Sequence, residues 1–229
     1  TYDRYSPFPE EMNRCLVGRL AEYHFAPTAQ NAENLKKEGI FKNIFVTGNT
    51  VVDALLFTVS RPVRLELGFD LDGRRLILVT AHRRESFGLR FEALCLAIRD
   101  IADQNPDVEI VYPVHLNPNV RNPAYRILDC CPRIHLLEPL RYEQFAHLMA
   151  QADLILTDSG GIQEEAPALG KPTLVLRETT ERPEAIEAGT AILVGADRER
   201  IAAEAARLLH DPAAYGAMAK VAYPFGDGK

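Results

Sequence analysis

From residue 74 the chain alternates short apolar runs with segments whose apolar residues recur at helical spacing. The runs are "RRLILVT" (74–80), "VEIVYPVH" (108–115), "RIHLLEP" (133–139), "DLILT" (153–157), "PTLVL" (172–176) and "TAILVG" (190–195). Between the first two, Phe91, Leu94, Cys95, Ile98 and Ile101 fall on one helical stripe,. Further helices are predicted over 124–131, 142–152, 162–170 and 197–210. Pro167 should shorten or kink the third of these, and Gly170 followed by Pro172 should end it. Runs that are apolar throughout belong to strands covered on both faces. Six strand–helix units in succession predict an α/β fold built on a doubly wound parallel sheet.

The first 70 residues follow the pattern less regularly. Residues 11–39 read as helix, short strand, helix. "IFVTGNTVVDALLFTV" (44–59) reads as a strand running into a helix. These resemble the closing pieces of a second α/β domain, and "TYDRYSPFPEEMNR" reads as the middle of a longer protein rather than a domain start. "RPVRLELGFDLDGRR" (61–75), with a proline and several charges, reads as a connection. The predicted division is 1–65 and 66–229.

Composition narrows the classes. Of 229 residues, 26 are basic and 32 acidic, giving a net charge of −6. That argues against a general nucleic-acid surface but leaves room for a local basic pocket. The sequence contains neither an apolar run near the ~18 residues of a membrane span nor a signal-peptide pattern, so a cytoplasmic protein without membrane attachment is expected. Adjacent Cys130 and Cys131 lack metal-ligand spacing, and with Cys15 and Cys95 they are read as reduced and mostly structural.

In a parallel sheet, ligands bind beyond the carboxyl ends of the strands. The loops there carry His82, Arg83, Arg84 and Glu85; His115 and Asn117; Glu138; "DSGG" (158–161); and Thr179, Thr180, Glu181 and Arg182. DSGG evokes a serine-protease nucleophile, but that chemistry needs an all-β scaffold of that type with His and Asp upstream. Here the stretch ends a buried strand and opens a helix. Ser159, Gly160 and Gly161 can then leave N–H groups free for an anion, or Ser159 can simply cap the helix. Glu164 and Glu165 either offset the helix dipole or accept hydrogen bonds from a ribose diol. His82 with two arginines leans towards phosphate binding, and His82 with Glu85 has the spacing of a metal pair without further ligands to support it. Phe145 serves either the core or stacking on a base. The dinucleotide and P-loop glycine signatures are absent from the sequence,.

"SPFPEEMNR", "FVTGNTVVDAL", "AHRRESFG", "VYPVHLNPNV" and "LTDSGGIQEEAPALGKPTLVLRETTERPEA", in this order, resemble the bacterial non-hydrolysing UDP-N-acetylglucosamine 2-epimerases. The resemblance implies a GT-B-like fold of two Rossmann-like domains, with 66–229 the C-terminal UDP-binding domain and 1–65 the end of the N-terminal one. It implies interconversion of UDP-N-acetylglucosamine and UDP-N-acetylmannosamine, by UDP elimination to 2-acetamidoglucal and re-addition, in a homodimer without cofactor or metal. By the same resemblance, Ser159, Gly160 and Gly161 cradle the diphosphate, Glu165 holds the ribose, Phe145 lies beside the uracil and Arg182 belongs to the same cleft. His82 assists departure of UDP, Glu10 is a catalytic carboxylate, and Arg83 and His115 contact a second, allosteric UDP-N-acetylglucosamine. The remaining catalytic carboxylates of the family lie ahead of "SPFPEE". This chain is therefore expected to hold the UDP half-site without most of the acid–base groups. A GT-B glycosyltransferase using a UDP-sugar and a non-catalytic UDP-binding module are the alternatives; "HRRES" and "TERPEA" argue against the transferase.

Overall fold

The computed structural model describes residue 5 and residues 8–65, 67–69 and 73–228. The first part contains α1 (Glu10–Leu20), β1 (His24–Ala26), α2 (Ala29–Lys37), β2 (Ile44–Val46) and α3 (Thr50–Val59). It is followed by β3 (Arg75–Thr80), α4 (Leu89–Gln104), β4 (Val108–Pro113), α5 (Pro118–Leu128), β5 (Ile134–Leu137) and α6 (Tyr142–Gln151). The chain continues through β6 (Leu154–Thr157), α7 (Gly160–Glu165), β7 (Thr173–Val175), α8 (Pro183–Glu187), β8 (Ala191–Leu193), α9 (Arg198–His210) and α10 (Pro212–Met218).

Strands β3 to β8 form one parallel sheet in the order β5-β4-β3-β6-β7-β8. The chain starts in the middle, winds outwards through β4 and β5, then returns to β6 and winds the other way. This is the Rossmann strand order, and its direction reverses between β3 and β6. Alternate residues of each strand feed opposite layers. Ile77, Val79, Ile110, Tyr112, Leu154 and Leu156 pack with α4, α5 and α9. Leu76, Leu78, Val111 and Ile155 pack with α3, α6 and Phe225. Both faces of the sheet are thus covered, which is why its strands read as unbroken apolar runs. The doubly wound parallel sheet expected from the sequence is the one observed.

Three local departures have local causes. Helix α5 starts at Pro118, six residues ahead of the predicted start at 124. The Asn117 side chain accepts the Asn119 N–H at 2.9 Å and Pro118 supplies a preset φ at the first position,. Helix α7 stops after six residues, and residues 166–169 tighten into a 3-10 turn ended by Gly170 at φ 64°. Pro167 lies in that turn, as expected of it. Helix α10 adds a short element after α9, capped by Asp211 through the Ala213 and Ala214 N–H groups.

The segment before residue 66 is joined to the sheet by its last helix. Val52 and Leu55 of α3 are buried in the same cluster as Leu76 and Met149. The C-terminal segment returns to this junction, where Phe225 O accepts the Asn49 N–H at 2.6 Å. A Cβ at Gly48 would sit 2.9 Å from Phe225 O and from Gly226 Cα, so this approach needs glycine,. Strands β1 and β2 form a separate parallel pair. Tyr23, Phe25 and Phe45 stack along its exposed side, with Phe25 and Phe45 centroids 5.9 Å apart.

The loops at the sheet's carboxyl edge are tied by Arg177, just past β7. Its buried guanidinium donates to Glu85 at 2.7 Å and to both oxygens of Glu181 at 2.6 and 3.1 Å. Hydrogen bonds from Arg177 hold the Glu181 carboxyl at about 2, below the ordinary 4.5. The folded chain therefore gains stability from this pair above pH 4.5 and loses it as pH falls towards 2. Glu181 is partly solvated, so the gain is below about 1 kcal/mol. Glu181→Gln should lower the melting temperature by roughly 1–3 °C at pH 7. The difference from the unsubstituted chain should vanish as pH approaches 2, which paired thermal melts across pH 2–7 will read.

Candidate functional site

The switch point places the loop after β3 beside the loop after β6, and a buried carboxylate ties them together. Asp158, the first residue past β6, is wholly inaccessible to solvent. Its Oδ2 accepts the backbone N–H of His82 and of Arg83, each at 2.7 Å. Thr80 and Thr157 hydroxyls meet at 2.6 Å across the paired strand ends, and Thr157 Oγ1 also accepts the Ser159 N–H at 2.9 Å. Both loops thus leave the sheet in fixed directions.

Gly160 lies between two arginines. A Cβ built there would be 3.6 Å from Arg83 Nη2 and 3.8 Å from Arg182 Nη2. The missing side chain leaves a slot bounded by two guanidiniums and by the amides that open α7. Ser159 occupies the cap position, yet its side chain makes no capping hydrogen bond. That removes the capping account of this serine and leaves its hydroxyl beside the slot, 3.8 Å from the Cβ position of Gly161. Such a set of donors suits an anion with several oxygens.

Arg182 is held from below. Glu164 is buried and accepts from Arg182 Nε and from Asn49 Nδ2. Gln163, also buried, donates to Ser159 O at 3.0 Å and accepts from Thr180 Oγ1 at 2.5 Å. Thr180 Oγ1 in turn accepts the Arg182 N–H at 3.0 Å. The sequence by itself suggests for Glu164 only a dipole-compensating or ribose-binding role, and nothing in it marks Gln163 or Asn49. Their roles depend on partners 17 and 115 residues away, which local pattern does not carry.

Glu165 faces another way. Its Oε1 accepts the Tyr142 hydroxyl at 2.6 Å. Burial pushes the Glu165 carboxyl up from its ordinary value against the lowering effect of that hydrogen bond. Burial and the glutamate together push the Tyr142 phenol up. Phe145, one turn along α6 from Tyr142, is half-buried against the apolar layer. His82 and His115 stack with ring centroids 5.4 Å apart. His115 is exposed, and its Nδ1 accepts the Asn117 N–H at 3.1 Å. The spacing of His82 and Glu85 does not become a metal pair, because Glu85 turns to Arg177 and His82 to Asp158. Among the described residues, three or more His, Cys, Asp or Glu are nowhere grouped to hold a metal ion. Glu138 pairs with Arg121 at 2.6 Å.

A cavity of about 610 Å³ opens between the first segment and helices α7 and α8. His24 and Phe25 line one wall, Glu164, Arg182 and Glu184 the other. Its size is that of a drug-sized ligand site. Arg182 faces both this cavity and the Gly160 slot. Glu10 sits exposed at the start of α1 and does not line the cavity. The structure therefore gathers Arg83, Ser159, Gly160, Gly161 and Arg182 around one slot, with His82 beside it on the loop that Asp158 clamps. It places His115 beside His82, sets Glu165 and Phe145 on the α6–α7 flank, and leaves Glu10 apart.

No helix among the described residues is long and apolar enough to cross a membrane. The family described as UDP-N-acetylglucosamine 2-epimerase matches residues 1–229. A UDP-N-acetylglucosamine 2-epimerase of Salmonella typhimurium is 55% identical over 239 residues, covering all of this chain and 64% of that protein. The S. aureus MnaA–UDP co-structure superposes with a TM-score of 0.94 at 46% identity, over 99% of this chain and 62% of that one. The UDP-GlcNAc 2-epimerase from Neisseria meningitidis, solved bound to UDP-GlcNAc, gives 0.90 at 44% identity over 100% of this chain and 64% of that one. The chain thus spans somewhat under two thirds of these relatives' length. With the Rossmann strand order, the two-arginine slot at its switch point and a match along every residue, the chain belongs to the UDP-N-acetylglucosamine 2-epimerase family.

Proposed function

We propose that the protein carrying this chain interconverts UDP-N-acetylglucosamine and UDP-N-acetylmannosamine, and that this chain supplies its UDP half-site. The observation that carries the reading is the side-chain-free slot at Gly160 between the Arg83 and Arg182 guanidiniums. A diphosphate in that slot meets the α7 amides, the free Ser159 hydroxyl and both cations. The same groups then stabilise charge that grows on the diphosphate as the sugar C1–O bond breaks. Glu165, with one oxygen on Tyr142, keeps its other oxygen for the ribose diol. Phe145 lies one helical turn from Tyr142 and takes the uracil side.

The sugar end falls in the cavity that Arg182 shares. The C2 proton is weakly acidic, so its removal needs a positioned base and its return on the other face an acid. Glu10 is one such carboxylate in this reading, brought to the cavity with groups outside this chain. His82 assists UDP departure, and Arg83 with His115 also reaches a second, regulatory UDP-N-acetylglucosamine. The working assembly is read as a homodimer in the cytoplasm.

Two measurements test this reading. In calorimetry with UDP, Ser159→Ala should weaken binding by about 1–3 kcal/mol, the cost of one lost polar contact to a charged group. Gly160→Ala should melt no lower than the unsubstituted chain, because its methyl meets only ordinary van der Waals neighbours. It should nonetheless bind UDP at least about tenfold more weakly, because the methyl fills the slot. Unchanged affinity in both variants would return these residues to structural roles. The second measurement uses a protein of the relatives' full length carrying this chain, in heavy water. Deuterium should appear at C2 of the recovered sugar nucleotides, and epimer formed without it would rule out elimination.

A further inference from the structure

The slot's histidine has a partner that its backbone clamp does not explain. Asp158 uses only one oxygen on the His82 and Arg83 amides. Its second, Oδ1, is fully buried, without a hydrogen-bond partner among the described residues, and 3.5 Å from His82 Nδ1. A buried carboxylate oxygen left unpaired costs free energy, so a donor that completes it in some state of the site is expected. Tyr112, below it on β4, donates its hydroxyl to Ala81 O instead. Arg83 turns to the slot, and His115 stacks on the outer face of His82. The His82 ring nitrogen is the side-chain donor that the structure sets nearest to Oδ1, at 3.5 Å, and with its side chain 40% exposed it has room to close the remaining distance.

We propose that Asp158 is a positioning residue that fixes which nitrogen of His82 carries a proton. It accepts Nδ1–H on Oδ1, so that Nε2, on the opposite side of the ring, is the nitrogen presented to the diphosphate. The inference rests on the epimerase reading for its consequence. When the C1–O bond breaks, its electron pair passes to the β-phosphate oxygen, and the Nε2 proton of the imidazolium passes to the same oxygen. The ring is left as its Nδ1–H tautomer, which is favoured only where Nδ1–H has an acceptor. On re-addition the proton returns to Nε2. Without Asp158 the neutral ring has no reason to keep its proton on Nδ1.

Asp158→Asn separates this role from the backbone clamp. The amide oxygen can replace Oδ2 on the two N–H groups, and the amide nitrogen then faces Nδ1 as a donor. Nδ1 must answer with its lone pair, so the neutral ring becomes the Nε2–H tautomer. Long-range ¹H–¹⁵N spectra of this chain, with the His82 signals assigned by loss in His82→Gln, read the tautomer directly. We expect Nδ1–H in the unsubstituted chain and Nε2–H in Asp158→Asn, with the Arg83 amide still protected from exchange. An Nε2–H ring in the unsubstituted chain overturns the proposal without any variant, so it stays testable if Asp158→Asn does not fold. The same tautomer in both proteins also overturns it. In the full-length protein, Asp158→Asn should lower kcat about 10²-fold or more, with KM for UDP-N-acetylglucosamine changed far less. Unchanged kcat overturns the positioning role. Absence of epimerase activity in the unsubstituted full-length protein would refute the functional reading and leave the tautomer result standing.

Discussion

Every group around the Gly160 slot reaches it from the carboxyl end of a parallel strand. Because β3, β6 and β7 run the same way, their following loops open on one edge of the sheet. Because the winding reverses between β3 and β6, those two loops diverge to opposite faces and leave a crevice between them. His82 and Arg83 line it from one side, Ser159 and Gly160 from the other. An antiparallel neighbour would have sent one loop to the opposite edge and dispersed the same residues over the molecule.

The crevice holds its shape through buried acids and amides whose hydrogen bonds are directed. Asp158 clamps the loop after β3, Glu164 holds Arg182, Gln163 links the Ser159 turn to Thr180, and Glu165 takes the Tyr142 hydroxyl. Burying such groups is costly unless they are paired, and breaking one pair exposes its partner to the full desolvation cost. That cost makes the arrangement stiff. Donors fixed in advance around a growing negative charge need no reorganisation when it appears. Arg182 is therefore best understood with Glu164 behind it, which holds its guanidinium, and Arg83 with Asp158, which fixes its backbone N–H.

The two parts of the chain meet at the same network. Asn49, the cap of α3, reaches Glu164, and Thr28, the cap of α2, donates to Glu184 Oε1 at 2.8 Å. Val52, Leu55 and Phe225 close the apolar side of the junction. The first segment is thus fixed to the helices that carry Arg182 and Glu164, on one wall of the cavity. A shift of α3 against α7 would be felt at Arg182 through one shared carboxylate.

Periodicity alone determined the six strands, most of their helices, the parallel sheet and its carboxyl edge, because continuous apolar runs and helical stripes are local consequences of two-sided burial. The start of helix α5 escapes the pattern, since a cap and a first-turn proline resemble a loop until the chain beyond them is seen to be helical. The slot was legible in part: "DSGG" and "HRR" announced donors at strand ends, and the extended block from residue 156 to 185 named the family. Tertiary structure alone decided that Arg83 and Arg182 flank one glycine, that Ser159 does not cap its helix, and that Glu164, Gln163 and Asn49 are supports. It also decided that Asp158 looks two ways, at a backbone and at a ring. These facts depend on groups 17 to 115 residues apart. Sequence pattern records which face a residue turns to the core, and only the folded chain settles which distant polar group waits there.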